Sequence, residues 1–173
     1  MTLNLDNQRI LAMDELPGVV GEKFVLEKFR ISDAEISTFE DLTGVTEIYG
    51  QVSATEYPKG MVEGFHSLSL IDWCLHQMVR TDPQTCYAYN YGLDKVRFPS
   101  SLTTSDDLRF EGEIAEVTPR NGGYLVRYRC TITAHGSDKP GLVADWLGLC
   151  LPRTSTEFKE KRTPKSVTPG GAS

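Results

Sequence analysis

A chain of 173 residues with 39% hydrophobic composition and a net charge of −6 has the apolar content for one folded core and little beyond it. The negative balance argues against tracking a phosphate backbone, which selects for a basic face, and so excludes nucleic acid from the expected partners. Cys74, Cys86, Cys130 and Cys150 stand singly in apolar surroundings, the usage of buried reduced thiols rather than of a disulfide framework or a zinc site.

The N-terminal stretch MTLNLDNQRILAMDE holds no basic run followed by an apolar one, so no secretory leader is read there and the expected location is cytoplasmic. Residues 6 to 16 predict a short amphipathic helix through Ile10, Leu11 and Leu16, ended by Pro17-Gly18. Lys23 to Ile31 is rich in strand formers and is read as the first strand. Ser32 and Glu35 form a capping box. Ile36, Phe39 and Leu42 follow at helical spacing until Gly44. Val45 to Pro58 shows no period and reads as an irregular connection.

Tyr57 to Arg80 is the stretch that organises the rest. From Phe65 to Val79 it is mostly apolar, with Phe65, Leu68, Ile71, Leu75 and Met78 on one face and Leu70, Trp73 and Cys74 on another. That pattern predicts a helix buried nearly all round. At ~1.5 Å per residue it spans about 24 Å, short of a bilayer, and Asp72, His66 and His76 interrupt it, so no membrane span is expected. Its first amides, at Gly64, point outward and attract negative charge or a developing oxyanion.

Thr81-Asp82-Pro83 is read as the helix stop. Strands are expected over Thr85 to Tyr91, Lys95 to Phe98, Asp107 to Val117, Gly123 to Ala134 and Leu142 to Leu151. Arg120-Asn121-Gly122-Gly123 and the segment from His135 to Gly141 supply hairpin turns, so the sheet is largely antiparallel. A long helix enclosed by a curved antiparallel sheet is an α+β solution, the hot-dog fold. One such sheet leaves an edge uncovered, which predicts a homodimer or a larger assembly of dimers. Residues 1 to 152 are read as a single domain, and 153 to 173, poor in apolar residues, as a disordered tail.

Two stretches resemble one family. Tyr91-Gly92-Leu93-Asp94-Lys95-Val96-Arg97-Phe98-Pro99 is similar to a YGL(N/D)KVRFP strand, and Gly64-Phe65-His66-Ser67-Leu68-Ser69-Leu70 to a GFLTLSL helix start. Both belong to the MaoC-like hot-dog proteins, which include (R)-specific enoyl-CoA hydratases and the matching dehydratases. Asp106-Asp107-Leu108-Arg109, Leu142-Val143-Ala144-Asp145-Trp146 and Leu42-Thr43-Gly44 add support, and the likeness covers roughly Val19 to Pro152. The resemblance implies an acyl-thioester ligand carried on coenzyme A or a carrier protein, with no cofactor and no metal.

The resemblance also implies an Asp, an Asn or Gln, and a His in the segment after that Thr-Gly. Here those positions hold Val45, Glu47 and Gly50, and the family's Ala-His-Gly before the helix is Val62-Glu63-Gly64. Adding water across an unsaturated thioester needs a base, an acid and donors on the thioester oxygen. A positioned proton-transfer group contributes about 10²-fold to 10⁴-fold, so losing both predicts a poor hydratase by the usual route.

Several residues can take over that chemistry, and each has a plain structural reading beside it. Glu47 is a replacement base or a solvated loop carboxylate; Glu63 is an acid or a charge favouring the helix dipole. His66 is a base or acid near neutral pH or a satisfied buried histidine. Tyr49, Gly64, Phe65 and Leu68 are the expected acyl-thioester contacts, although Tyr49 also suits aromatic packing and Gly64 a backbone with φ > 0. Asp72 and His76 read as a structural pair rather than half of a metal site, and Lys95 and Arg97 as coenzyme A phosphate contacts or as solvated strand residues.

The leading functional expectation is an acyl-thioester-binding protein acting as a diverged hydratase or dehydratase, or catalysing a related proton transfer or elimination. Two alternatives stand beside it: a non-catalytic subunit of a heteromeric hydratase, paired with a second MaoC-like chain, and a hot-dog thioesterase.

Overall fold

Five antiparallel strands build the main sheet of the computed structural model, which describes residues 8–49 and 57–154, with side chains omitted at 48 and 49. In chain order these strands are β2 (Lys23–Phe29), β5 (Cys86–Arg97), β7 (Leu108–Arg120), β8 (Gly123–Ala134) and β9 (Leu142–Pro152). Their spatial order is β2-β7-β8-β9-β5, so β2 and β5 are the edges. Period-two patterning shows in β7, where Leu108, Phe110, Gly112 and Ile114 turn inward and Arg109, Glu111 and Glu113 turn outward. β9 is covered on both sides and reads as a nearly continuous apolar run. Asn121 and Gly122, with φ of 51° and 76°, close β7 onto β8 in the two-residue turn expected of Asn-Gly.

The long helix is α3 (Gly64–His76), which lies on the sheet and buries His66, Ser67, Ile71, Cys74 and Leu75. Trp73 meets Phe29 of β2 with ring centroids 5.8 Å apart. Burying a side chain of the size of Ile71 or Leu75 contributes about 1.5–3 kcal/mol, so this inner face fixes the helix to the sheet. The expectation of burial nearly all round is corrected: Phe65, Ser69 and Asp72 are exposed and form an open stripe along α3. The apolar spacing predicted a buried helix, but Phe65 stands at the helix entrance, where the sheet does not cover it.

The capping box holds as read. Ser32 N–H donates to Glu35 Oε2 at 2.9 Å and Glu35 N–H donates to Ser32 Oγ at 3.3 Å, opening α1 (Asp33–Thr43), which ends at Gly44. A short α2 (Thr46–Tyr49) follows inside the segment read as irregular.

Other expectations change at the margins. The helix expected over residues 6 to 16 is instead β1 (Arg9–Leu11) followed by a 3-10 helix over Met13–Val19 that contains Pro17; residues 6 and 7 lie outside the described residues. β1 pairs in parallel with β4 (Val79–Thr81), so α3 stops at His76 rather than at Thr81-Asp82-Pro83. Two more short strands, β3 (Met61–Val62) and β6 (Leu102–Thr103), pair just before the helix. Four free, buried cysteines match the thiol reading, and among the described residues no helix is long and apolar enough to cross a membrane.

Candidate functional site

The candidate site lies at the entrance of α3, where β3 delivers the chain to Glu63. Glu63 is the N-cap, with φ −61° and ψ 145°, and its side chain makes no capping hydrogen bond. The first helical bond runs from Ser67 N–H to the Glu63 carbonyl at 2.9 Å, so the amides of Gly64, Phe65 and His66 have no acceptor within the helix. They form the positive end of a thirteen-residue dipole.

Gly64 is there for space, not for φ. Its backbone is outside the left-handed region, and a Cβ would lie 3.0 Å from the tip of the Phe98 ring. Phe98 therefore sits directly over the helix entrance. It also meets Phe65 edge to face, centroids 6.3 Å apart and planes at 61°.

Two hollows flank this point. One, of about 260 Å³, is lined by Val62, Gly64, Ser67, Phe98, Ser100 and Leu102. The other, of about 360 Å³, runs along the open side of α3 between Phe65 and Leu68 on the helix and Tyr91, Leu93 and Trp146 on the sheet. Phe65 is 71% exposed, so it borders this groove instead of filling the core.

His66 turns the other way, onto α1, where its ring stacks on Phe39. It is buried, its Nδ1 has no hydrogen-bond partner among the described residues, and burial lowers its pKa while Glu35 pushes it back up. The imidazole is therefore neutral at pH 7, the form that accepts a proton.

Glu63, Gly64 and His66 come together at one helix entrance, and Phe65 and Leu68 share one groove. Glu47 is exposed on α2, and the side chain of Tyr49 lies outside the described residues, as does Gly50. Lys95 places Nζ 3.1 Å from buried Asp145, and Arg97 donates to its neighbour's carbonyl at Val96, so neither reads as a free phosphate contact. Asp72 and His76 do pair, Nδ1 to Oδ1 at 3.0 Å, and among the described residues no three His, Cys, Asp or Glu side chains cluster as metal ligands would. Phe98 and Ser67 were not singled out from sequence: Phe98 lay inside a matched strand motif, and Ser67 inside an apolar helix pattern.

No family model matches the chain. Nodulation protein N of Rhizobium leguminosarum bv. viciae is 26% identical over 164 residues, covering 91% of this chain and 98% of that protein. The 3-hydroxyacyl-thioester dehydratase Z of Mycobacterium tuberculosis is 29% identical over 137 residues, covering 76% of this chain and 90% of that protein. A solved MaoC-like dehydratase from Rhodospirillum rubrum superposes with a TM-score of 0.58 at 16% identity, over 78% of this chain and 93% of that one. The chain shares the hot-dog fold and is distantly similar to MaoC-like proteins.

Against the MaoC-like pattern, the chain resembles it at the helix entrance and departs from it at the acid/base segment. Val45, at the position of the family Asp, sits half-buried in the turn between α1 and α2 and has no proton to exchange. Among the described residues, the polar groups around the helix entrance include Glu63, Ser67, Ser100 and the backbone amides, with the His66 ring turned onto Phe39.

Proposed function

We propose that this chain binds an acyl thioester with its carbonyl at the start of α3 and acts on it as a diverged hydratase or dehydratase. The observation that carries the reading is the entrance itself: three amides without helical acceptors at Gly64, Phe65 and His66, between two hollows, in a chain related to a 3-hydroxyacyl-thioester dehydratase.

In the dehydration direction a base takes the α-proton, negative charge gathers on the thioester oxygen, and the 3-hydroxyl leaves as water with a proton from an acid. In this reading the Gly64 amide donates to the oxygen, with Leu68 and Phe65 along the acyl chain. Glu63 is the first choice of acid, Glu47 an alternate carboxylate from α2, and His66 serves as base once its ring turns from Phe39 toward the entrance. Dimerisation belongs to the same reading: among the described residues β5 is a sheet edge, and Tyr91, Leu93, Phe65 and Phe98 are exposed near it.

The test is turnover of Glu47→Gln, Glu63→Gln and His66→Asn on a panel of 3-hydroxyacyl and 2-enoyl thioesters, on coenzyme A and on carrier protein. The expected result is a loss of at least about tenfold in one or more variants. Full turnover in all three would sink the assignment, and release of free thiol without enoyl formation would assign the chain to thioester hydrolysis. Val45 favours one competing reading, a non-catalytic partner of an active MaoC-like chain. An active homodimer, purified alone and weighed by light scattering, excludes it.

A further inference from the structure

The groove beside α3 does not end at Leu68. A second hollow of about 380 Å³ adjoins it, and the two share Asp72, Asn90 and Trp146. As α3 runs from Phe65 to His76, β5 runs back from Leu93 to Ala88, so the combined groove follows the helix from end to end. At ~1.5 Å per residue that is about 18 Å.

The far end differs in character from the entrance. His76, Arg80, Thr81, Tyr89 and Asn90 line it, with the Trp146 indole, tied to Asn90 Oδ1 at 3.0 Å, as a flat wall. Arg80, on β4, is half-buried, and its Nε is shielded from solvent with no hydrogen-bond partner among the described residues. Arg30, Arg109, Arg127 and Arg129 each reach a carboxylate; Arg80 reaches none among the described residues. A partly desolvated guanidinium without a counter-ion is costly, and its planar fork fits a carboxylate. Asp72, the acid that lines the groove, is already engaged: His76 Nδ1 lies 3.0 Å from its Oδ1 and 2.7 Å from its carbonyl oxygen. That leaves His76 Nε2 beside Arg80 for a ligand.

We propose that the Arg80 end of this groove is a carboxylate-binding site, with the Nε2–H of protonated His76 as second donor. The acyl groups this chain accepts then carry a carboxylate at the end remote from the thioester. The second statement rests on the thioester reading of the Gly64 entrance; the first does not.

Calorimetric titration separates the two. Wild-type protein is titrated with decanoate and with decanol, and then with long-chain acyl-coenzyme A thioesters ending in a carboxylate or in its methyl ester. The charged member of each pair is expected to bind about tenfold tighter or more. Arg80→Gln should erase that preference while leaving decanol affinity unchanged, and Arg80→Lys should keep part of it; melting curves establish that both variants fold. Equal affinity for decanoate and decanol in the wild type, or an undiminished preference in Arg80→Gln, overturns the site. Displacement of decanoate by inorganic phosphate at equal concentration assigns Arg80 to phosphate and overturns it as well. A decanoate preference without any thioester binding upholds the site and refutes the entrance reading instead.

Discussion

His66 lies flat on Phe39, ring centroids 4.6 Å apart and planes within 3° of parallel. Burial lowers the His66 pKa, so between that value and the unfolded one, near 6.5, the unfolded chain binds a proton that the folded chain refuses. The His66 contribution to stability is complete above about 6.5 and is lost as pH falls toward the depressed value. His76 has the opposite sign: its bond to Asp72 raises its pKa, so its contribution is complete below about 6.5 and fades as pH rises through the raised value. Melting temperature followed from pH 5 to 8 should therefore show a smaller acid-side decline in His66→Phe and a smaller alkaline-side decline in His76→Gln. An unchanged acid slope in His66→Phe would show that the ring is not held neutral by burial.

Gly64 and Phe98 should be coupled. A methyl at position 64 comes within 3.0 Å of the Phe98 ring tip, which is itself 43% exposed and free to swing. Gly64→Ala should cost about 1 kcal/mol, the low end for overpacking, and the cost should vanish in a Phe98→Ala background. Gly64→Val should fold and lose thioester binding. Normal affinity in a well-folded Gly64→Val protein would move the site away from the helix entrance.

Asp145 is 4% exposed and accepts from Arg127 Nη1 at 3.2 Å and Lys95 Nζ at 3.1 Å. Arg127 keeps Asp94 at 2.7 Å when Asp145 is removed, so Asp145→Ala is expected to cost about 1–3 kcal/mol, less than stranding a fully buried charge. Lys95 is 75% exposed, and Lys95→Ala should cost about 0–1 kcal/mol. Denaturant unfolding of the two variants decides the ranking; equal costs would contradict it.

Burial raises all four thiols, Cys150 to about 12. Thiolate is the nucleophile, so the folded protein should take up no iodoacetamide at pH 8, and the unfolded protein four equivalents. Intact mass before and after denaturation reads this directly. Labelling of the native chain would mean that the thiol sites open far more often than their burial implies.

The elements whose signals are local were legible in sequence. Ser32 and Glu35 announced α1, and Asn121-Gly122 announced the β7–β8 turn, because a cap and a turn are made by neighbours. β5 was read as two strands split at Gly92-Leu93-Asp94; it is one, with irregular register between Asn90 and Gly92 and between Asp94 and Arg97, and with Lys95 at φ 52°. Val79 looked like helix and Ile10 and Leu11 like another helix because their strand pairing joins segments about seventy residues apart, which no local period reports. At the site, motif resemblance located Gly64, but the pairing of Arg80 with an open groove depends on which strands flank α3, and that appears only once the chain is folded.

Four strands pair with ones made later: β1 with β4, β2 with β7, β3 with β6 and β5 with β9. On a ribosome, therefore, β2 stays single until β7 has emerged, and α3 has no sheet to lie on until β9 follows. The β7–β8 hairpin closes on itself through a two-residue turn and is the natural place for ordered structure to begin. Much of the apolar surface of α3 thus waits uncovered from its own synthesis until β9 is made, which leaves the nascent chain open to association in a way that the finished fold does not betray.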